Sequence, residues 1–276
     1  MKNQKLIKGG VILLTSFGLL LTSCAKEDDS TTAAESHAVS EQSNDDIDAI
    51  SDEAESSNKL SSFKTDDASG VLTDSVVITK TMKGDTGTAI VDFGTGGITC
   101  KDGKVRKGKI KLVRIGNPLN QGSVRTITTD GYSVDGNSIE ATRTVTFNGL
   151  QATNGHPSWN ISASYTITFA DGSTASGTTT RLREWSEGSS TLDNRTDDVF
   201  IVSGTASGTK ASGTSYEVEI TTPLKIKVAC HQIVSGVIKI TPSGKAARTI
   251  DFGTGDCDGT ATATIGKVTK TITIKK

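Results

Sequence analysis

In Ile161-Ser162-Ala163-Ser164-Tyr165-Thr166-Ile167-Thr168-Phe169, apolar side chains fall at every second position and hydroxyl side chains fall between them. A period of two with β-branched enrichment is the pattern of a half-buried antiparallel strand. The same alternation runs through Leu224, Ile226, Val228 and Cys230, through Tyr216, Val218 and Ile220, and through Ile272 and Ile274. Asp-Gly pairs at 102–103, 130–131, 135–136, 171–172 and 258–259, with Asn-Gly at 148–149 and 154–155, supply turns between such runs. No long helical period follows residue 70. The fold class expected for 71–276 is therefore all-β: an antiparallel, sandwich-like body of a dozen or more strands. It is read either as one sandwich or as two related β modules, about 71–150 and 198–276, with a central hairpin over 158–185.

The body repeats itself. Val77-Ile78-Thr79-Lys80 leads to Val91-Asp92-Phe93-Gly94-Thr95-Gly96, and Val237-Ile238-Lys239-Ile240 leads to Ile250-Asp251-Phe252-Gly253-Thr254-Gly255. A Gly-Lys-Val follows each, at 103–105 and 266–268. Two pseudo-repeated hairpin units, one near each end of the body, are expected.

The N-terminus has a different texture. Lys2, Lys5 and Lys8 precede a short apolar run from Val11 to Leu21, too short to span the roughly 30 Å of bilayer hydrocarbon as a helix, which fits an export signal. Leu21-Thr22-Ser23-Cys24 follows. It resembles the lipobox of bacterial lipoproteins, which implies cleavage between Ser23 and Cys24 and acylation of Cys24. In that class two or more acyl chains, at about 0.8 kcal/mol per buried methylene, hold the protein firmly on the membrane. Ala25 and the run Lys26-Glu27-Asp28-Asp29 resemble the surface-export signal of Bacteroidetes-type lipoproteins, which implies the outer membrane and its outer face, with the periplasmic leaflet as the alternative. The Asp-Phe-Gly turn before Cys257-Asp258 is similar to C-terminal regions of uncharacterised lipoproteins of that group and implies no chemistry.

Residues 25–70 carry 13 Asp+Glu against 3 Lys, a net charge of −10, whereas 71–276 carry 24 Lys+Arg against 18 Asp+Glu, a net of +6. With few large apolar residues, the acidic segment 24–70 is expected to be a disordered tether extended by self-repulsion. Within it Ile47, Ile50 and Ala54 at i, i+3 and i+7 allow a short helix over about 45–57. The overall charge of −1 argues against nucleic acid as a partner.

Cys100, Cys230 and Cys257 remain once Cys24 is acylated. Cys230 sits in the apolar phase of its strand and Cys257 in a turn 27 residues later, so a Cys230–Cys257 disulfide is expected in the oxidising envelope, with Cys100 a buried thiol. No catalytic residue is assigned: the three His are dispersed, and no HExxH, GxSxG or phosphate-binding loop occurs. Asp251, Asp256 and Asp258 crowd one Gly-rich turn where hard oxygens could hold Ca²⁺, but no later Glu completes the pattern, and turn chemistry accounts for them. No metal and no cofactor beyond the acyl lipid is expected. Trp159 and Trp185 are the ligand-binding candidates, either as sugar-stacking surfaces or as core.

The function expected is that of a lipid-anchored envelope protein with a non-enzymatic structural, adhesive or binding role and an unidentified protein or glycan ligand. Carbohydrate binding for glycan uptake is the first alternative. A carboxylate-dependent hydrolase using two of Asp171, Glu184 and Glu187 is the second.

Overall fold

The computed structural model describes residues 31–56, 70–192, 194–210 and 212–274. One helix, α1 (Thr31–Ser56), precedes fourteen strands. These are β1 (Val77–Lys83), β2 (Thr86–Asp92), β3 (Ile98–Thr99), β4 (Val105–Ile115), β5 (Val124–Val134), β6 (Asn137–Leu150) and β7 (Pro157–Thr168). They continue as β8 (Thr174–Glu187), β9 (Val199–Lys210), β10 (Ser215–Lys227), β11 (Gln232–Pro242), β12 (Arg248–Thr254), β13 (Thr260–Ile265) and β14 (Val268–Thr273). Every pairing is antiparallel; strands follow one another in sequence order across the sheet, except that β2 pairs with β4 and the two-residue β3 lies off this path against β4. The all-β expectation is met, and the central hairpin is β7–β8. The sheet is a single open meander with β1 and β14 at its ends.

The alternation read from 161–169 decides which face is inward. Ile161, Ala163, Tyr165 and Ile167 are buried, while Asn160, Ser162, Ser164 and Thr168 are exposed. Inward residues form two apolar clusters, one over β1–β7 and one over β9–β14, and Trp159 packs against both. The sheet curls so that both halves reach the same helix. Ile47, Ile50 and Ala54 join the first cluster, and Ala34 and Ala38 join the second.

The expected tether is thus corrected over 31–56. The segment is one 26-residue helix inside the curl of the sheet. The helix anticipated at 45–57 is its C-terminal half, and Ile47, Ile50 and Ala54 are each no more than 1% exposed. The rest was missed because its buried carboxylate, Glu41, is matched by Arg181 far away in sequence. Residues 24–30 and 57–69 of the expected tether lie outside the described residues.

The two copies of the repeat do the same job. In the first hairpin Ile78 pairs with Val91, and in the second Ile238 pairs with Ile250. Asp92 and Asp251 each accept a hydrogen bond from the backbone N–H two residues on, at 2.8 and 2.9 Å, and Phe93 and Phe252 point into the core. Beside each copy the neighbouring strand carries a positive-φ glycine in a register shift, Gly108 at φ +75° and Gly236 at φ +109°. A Cβ at Gly108 would run into the Gly131 carbonyl, and one at Gly236 into that of Pro223. Such bulges increase local twist, which curls a long meander around its contents.

Candidate functional site: the charged interior around the helix

Arg106, Arg143, Arg181, Arg183 and Arg248 occupy inward positions of β4, β6, β8 and β12 and are each no more than 6% exposed. A lone guanidinium there would carry a prohibitive desolvation cost. Helix α1 supplies the counter-charges to Arg106, Arg143, Arg181 and Arg183. Arg106 grips Asp46, with its Nε 3.1 Å from Oδ2, and also donates to Asp102 at 2.8 and 2.6 Å. Tyr132 donates its hydroxyl to Asp46 Oδ2 at 2.9 Å, and Lys104 Nζ lies 3.4 Å from Oδ1. Arg143 donates to Asp48 Oδ2 at 2.7 Å and to Asn44 Oδ1 at 2.8 Å. Arg181 holds both oxygens of Glu41 at 2.8 and 3.1 Å. Arg183 donates to Asp52 Oδ2 at 2.5 Å, and Arg125 bridges Asp52 and Glu55. Arg114 takes the other oxygen of Glu55 at 3.0 Å.

The electrostatics separate these carboxylates. Burial alone would raise Asp46, but Arg106 and Lys104 outweigh it and hold the carboxyl well below the usual range. Asp52 is likewise pulled down, to about 2, by Arg183 and Arg125 against the effect of burial. Asp45 sits beside a small cavity of about 20 Å³ that Glu53, Arg195 and His231 also line. Burial pushes its carboxyl up to about 7, opposed by Arg183 and reinforced by Asp48 and Asp46. Burial also raises Glu53, which accepts hydrogen bonds from the backbone N–H groups of Val71 (2.8 Å) and Leu72 (3.2 Å).

Cys230 and Cys257 form a disulfide with Cα atoms 5.5 Å apart. Cys230 lies in a 3₁₀ turn, Val228–Cys230, rather than on the apolar face of a strand, because β10 ends at Lys227. Cys100 is buried and unbridged, and burial raises its thiol. Trp159 is tilted against Phe147 with ring centroids 5.4 Å apart, and Trp185 stacks on Phe200 at 5.9 Å while its Nε1 donates to Asp198 at 3.0 Å. Both indoles are half-buried and engaged with protein rings.

The carboxylates considered for hydrolysis do not converge on the interior. Asp171 accepts from Ser173 in the β7–β8 turn, and Glu187 pairs with Lys225 at 3.2 Å. Glu184 accepts from Gln151 at 2.9 Å and Asn154 at 2.8 Å, and its Oε1 lies 2.5 Å from His156 Nδ1. Asp251 and Asp258 cap their own turns, and Asp256 lies 3.5 Å from the Thr254 hydroxyl. Among the described residues no three His, Cys, Asp or Glu side chains gather as metal ligands. Ser23, Cys24, Lys26, Glu27, Asp28 and Asp29 lie outside the described residues.

Sequence reasoning missed the arginine lining. Its signal was present: Arg143 shares the phase of Ile139 and Val145, Arg181 and Arg183 that of Ala175 and Trp185, and Arg248 that of Ile250 and Phe252. Comparison of the chain with protein-family models, with curated proteins and with solved structures finds no match.

Proposed function

We propose that the chain is a lipid-anchored protein of the cell envelope, held through Cys24 on the outer membrane and displayed at the cell surface, with a non-enzymatic structural, adhesive or binding role. The observation that carries the non-enzymatic part is the pairing inside the sheet. Arg106, Arg143, Arg181 and Arg183 are spent on the helix carboxylates Asp46, Asp48, Glu41 and Asp52, so this charged region of the molecule is a structural core. The outer face supports attachment by lipid rather than by strands. Outward residues such as Asn160, Ser162, Ser164, Thr178 and Thr180 are exposed and polar, whereas strands that meet lipid present an apolar band. Because α1 begins at Thr31, the seven peptide units from Cys24 reach at most about 25 Å, which seats the body close to the membrane.

Metabolic labelling with a palmitate analogue and protease shaving of intact cells test this reading. Label lost in Cys24→Ala and shaving of the wild-type body are the expected results. A Cys24→Ala protein that still fractionates with membranes would contradict the anchor, and a protected body would contradict surface display.

Glycan binding is a second reading, seated away from the tryptophans. Thr178, Ser207, Glu217 and Thr241 form a registered, exposed row across β8–β11, within an open depression of about 890 Å³. Hydroxyls and a carboxylate in a row can exchange hydrogen bonds with sugar hydroxyls. Affinity electrophoresis against a polysaccharide panel tests it: retardation lost in Glu217→Ala supports the groove, and no retardation on any glycan removes this reading.

A further inference from the structure

The ladders of the sheet form without α1. Each main strand between the two edge strands β1 and β14 pairs with strands on both sides along the meander, and the helix adds none of these ladders. What the helix contributes is side-chain chemistry, and it does so all around its circumference. Four arginines buried to 7% exposure or less, from three different strands, each grasp a helix carboxylate: Arg106 with Asp46, Arg143 with Asp48, Arg181 with Glu41 and Arg183 with Asp52. Gln42 reads the backbone of the β10–β11 connection from both sides, donating to the His231 carbonyl at 3.3 Å and accepting from the Ile233 N–H at 3.4 Å. Ala34, Ala38, Ile47, Ile50 and Ala54 fill apolar sites with no more than 1% exposure. Anchors at helical spacing in an apolar groove, with charge-assisted bonds setting the register, are the means by which a groove recognises a helical peptide.

We infer that the curled sheet is a receptor for an acidic helix, filled here in cis by Thr31–Ser56, and that it holds this helix without the covalent link through residues 57–69. The specificity lies in charge. A planar guanidinium in a dry site takes a carboxylate and rejects an ammonium, because a like charge placed opposite it has no compensation. The inference is independent of acylation at Cys24. If that thiol is acylated, a chain cut within 57–69 stays on the membrane through the seated helix alone.

The test uses the full chain with a site-specific protease sequence inserted between residues 57 and 69. Cleavage is verified on a denaturing gel, and the cut protein is then run on size exclusion at physiological salt. The expected result is co-elution of the helix fragment and the sheet fragment in equal amounts. A helix fragment that elutes alone, whether the sheet fragment stays soluble or aggregates, overturns the inference. In a second arm the cut protein is incubated with excess labelled peptide corresponding to residues 31–56. That peptide should exchange into the complex, and the same peptide carrying Asp46→Lys and Asp48→Lys should incorporate at least tenfold less. Equal incorporation of the two peptides would overturn charge as the basis of recognition.

Discussion

Arg106 on β4 and Asp46 on α1 meet across 60 residues of sequence, with side chains 0% and 5% exposed. The pair closes the junction between the helix and the first half of the sheet, with Tyr132, Lys104 and Asp102 around it. Removing one member of a buried pair leaves the other uncompensated and costs about 3–5 kcal/mol. Arg106→Met and Asp46→Asn are each expected to lower the unfolding free energy, read from urea titration, by that amount. The double variant Arg106→Met/Asp46→Leu should cost less than the sum of the two single changes, because it buries no orphan charge. Additive losses in this cycle would count against the pairing.

The helix carboxylates give the stability a two-limbed pH dependence. Asp45 is raised to about 7, so between about 4 and 7 the folded state keeps a proton that the unfolded chain has lost. Its contribution to stability therefore falls as pH rises through that window. Asp46 and Asp52 are held below their unfolded values, so their contribution is present above about pH 4 and is lost as pH falls. Asp45→Asn removes the descending limb. Its melting temperature relative to wild type should rise from pH 5 to pH 8, by an amount equivalent to a few kcal/mol. A difference constant across that range would refute the assignment.

The Cys230–Cys257 bridge closes a loop of 27 residues. On the chain-entropy model it contributes about 3–4 kcal/mol, mainly by restricting the unfolded chain. Cys230→Ser, or reduction of the wild type, should lower the denaturant midpoint accordingly, while Cys100→Ser should change it little. Chemical unfolding with and without reductant compares the three.

The sequence made the strands legible because each strand's alternation is local. Ile161 to Phe169 and Tyr216 to Ile220 announce their buried faces without reference to anything distant. The same locality made Ile47, Ile50 and Ala54 readable as a helical stripe. The N-terminal half of α1 was not readable, because Glu41 becomes a buried residue only once Arg181 stands opposite it, 140 residues away. The charge asymmetry between 25–70 and 71–276 was visible as two numbers. That carboxylates of the helix meet arginines of the sheet in one interior depends on how the sheet curls, and the curl comes from bulges whose partners lie on neighbouring strands. Cys257 could be paired with Cys230 because the repeat placed their strands side by side, but the alternation of Leu224, Ile226 and Val228 runs on past the end of β10 and hid the turn that carries Cys230.

Gly236 offers the most direct test of how the curl is made. Pro223 and Leu224 stand opposite it on β10, and Phe252 and Gly253 on β12, so a single residue absorbs a register shift on both sides. Its φ of +109° is open only to glycine, and a Cβ would strike the Pro223 carbonyl. Gly236→Ala should therefore cost about 3 kcal/mol or more, since both strain and collision must be relieved by moving two strands. Gly84, at φ +58° in the β1–β2 turn, has open space where a Cβ would stand. Gly84→Ala carries only the left-handed backbone penalty of about 1–2 kcal/mol. Thermal unfolding of the two variants side by side reads the difference, and equal losses would show that the bulge at Gly236 does not set the curvature of the sheet.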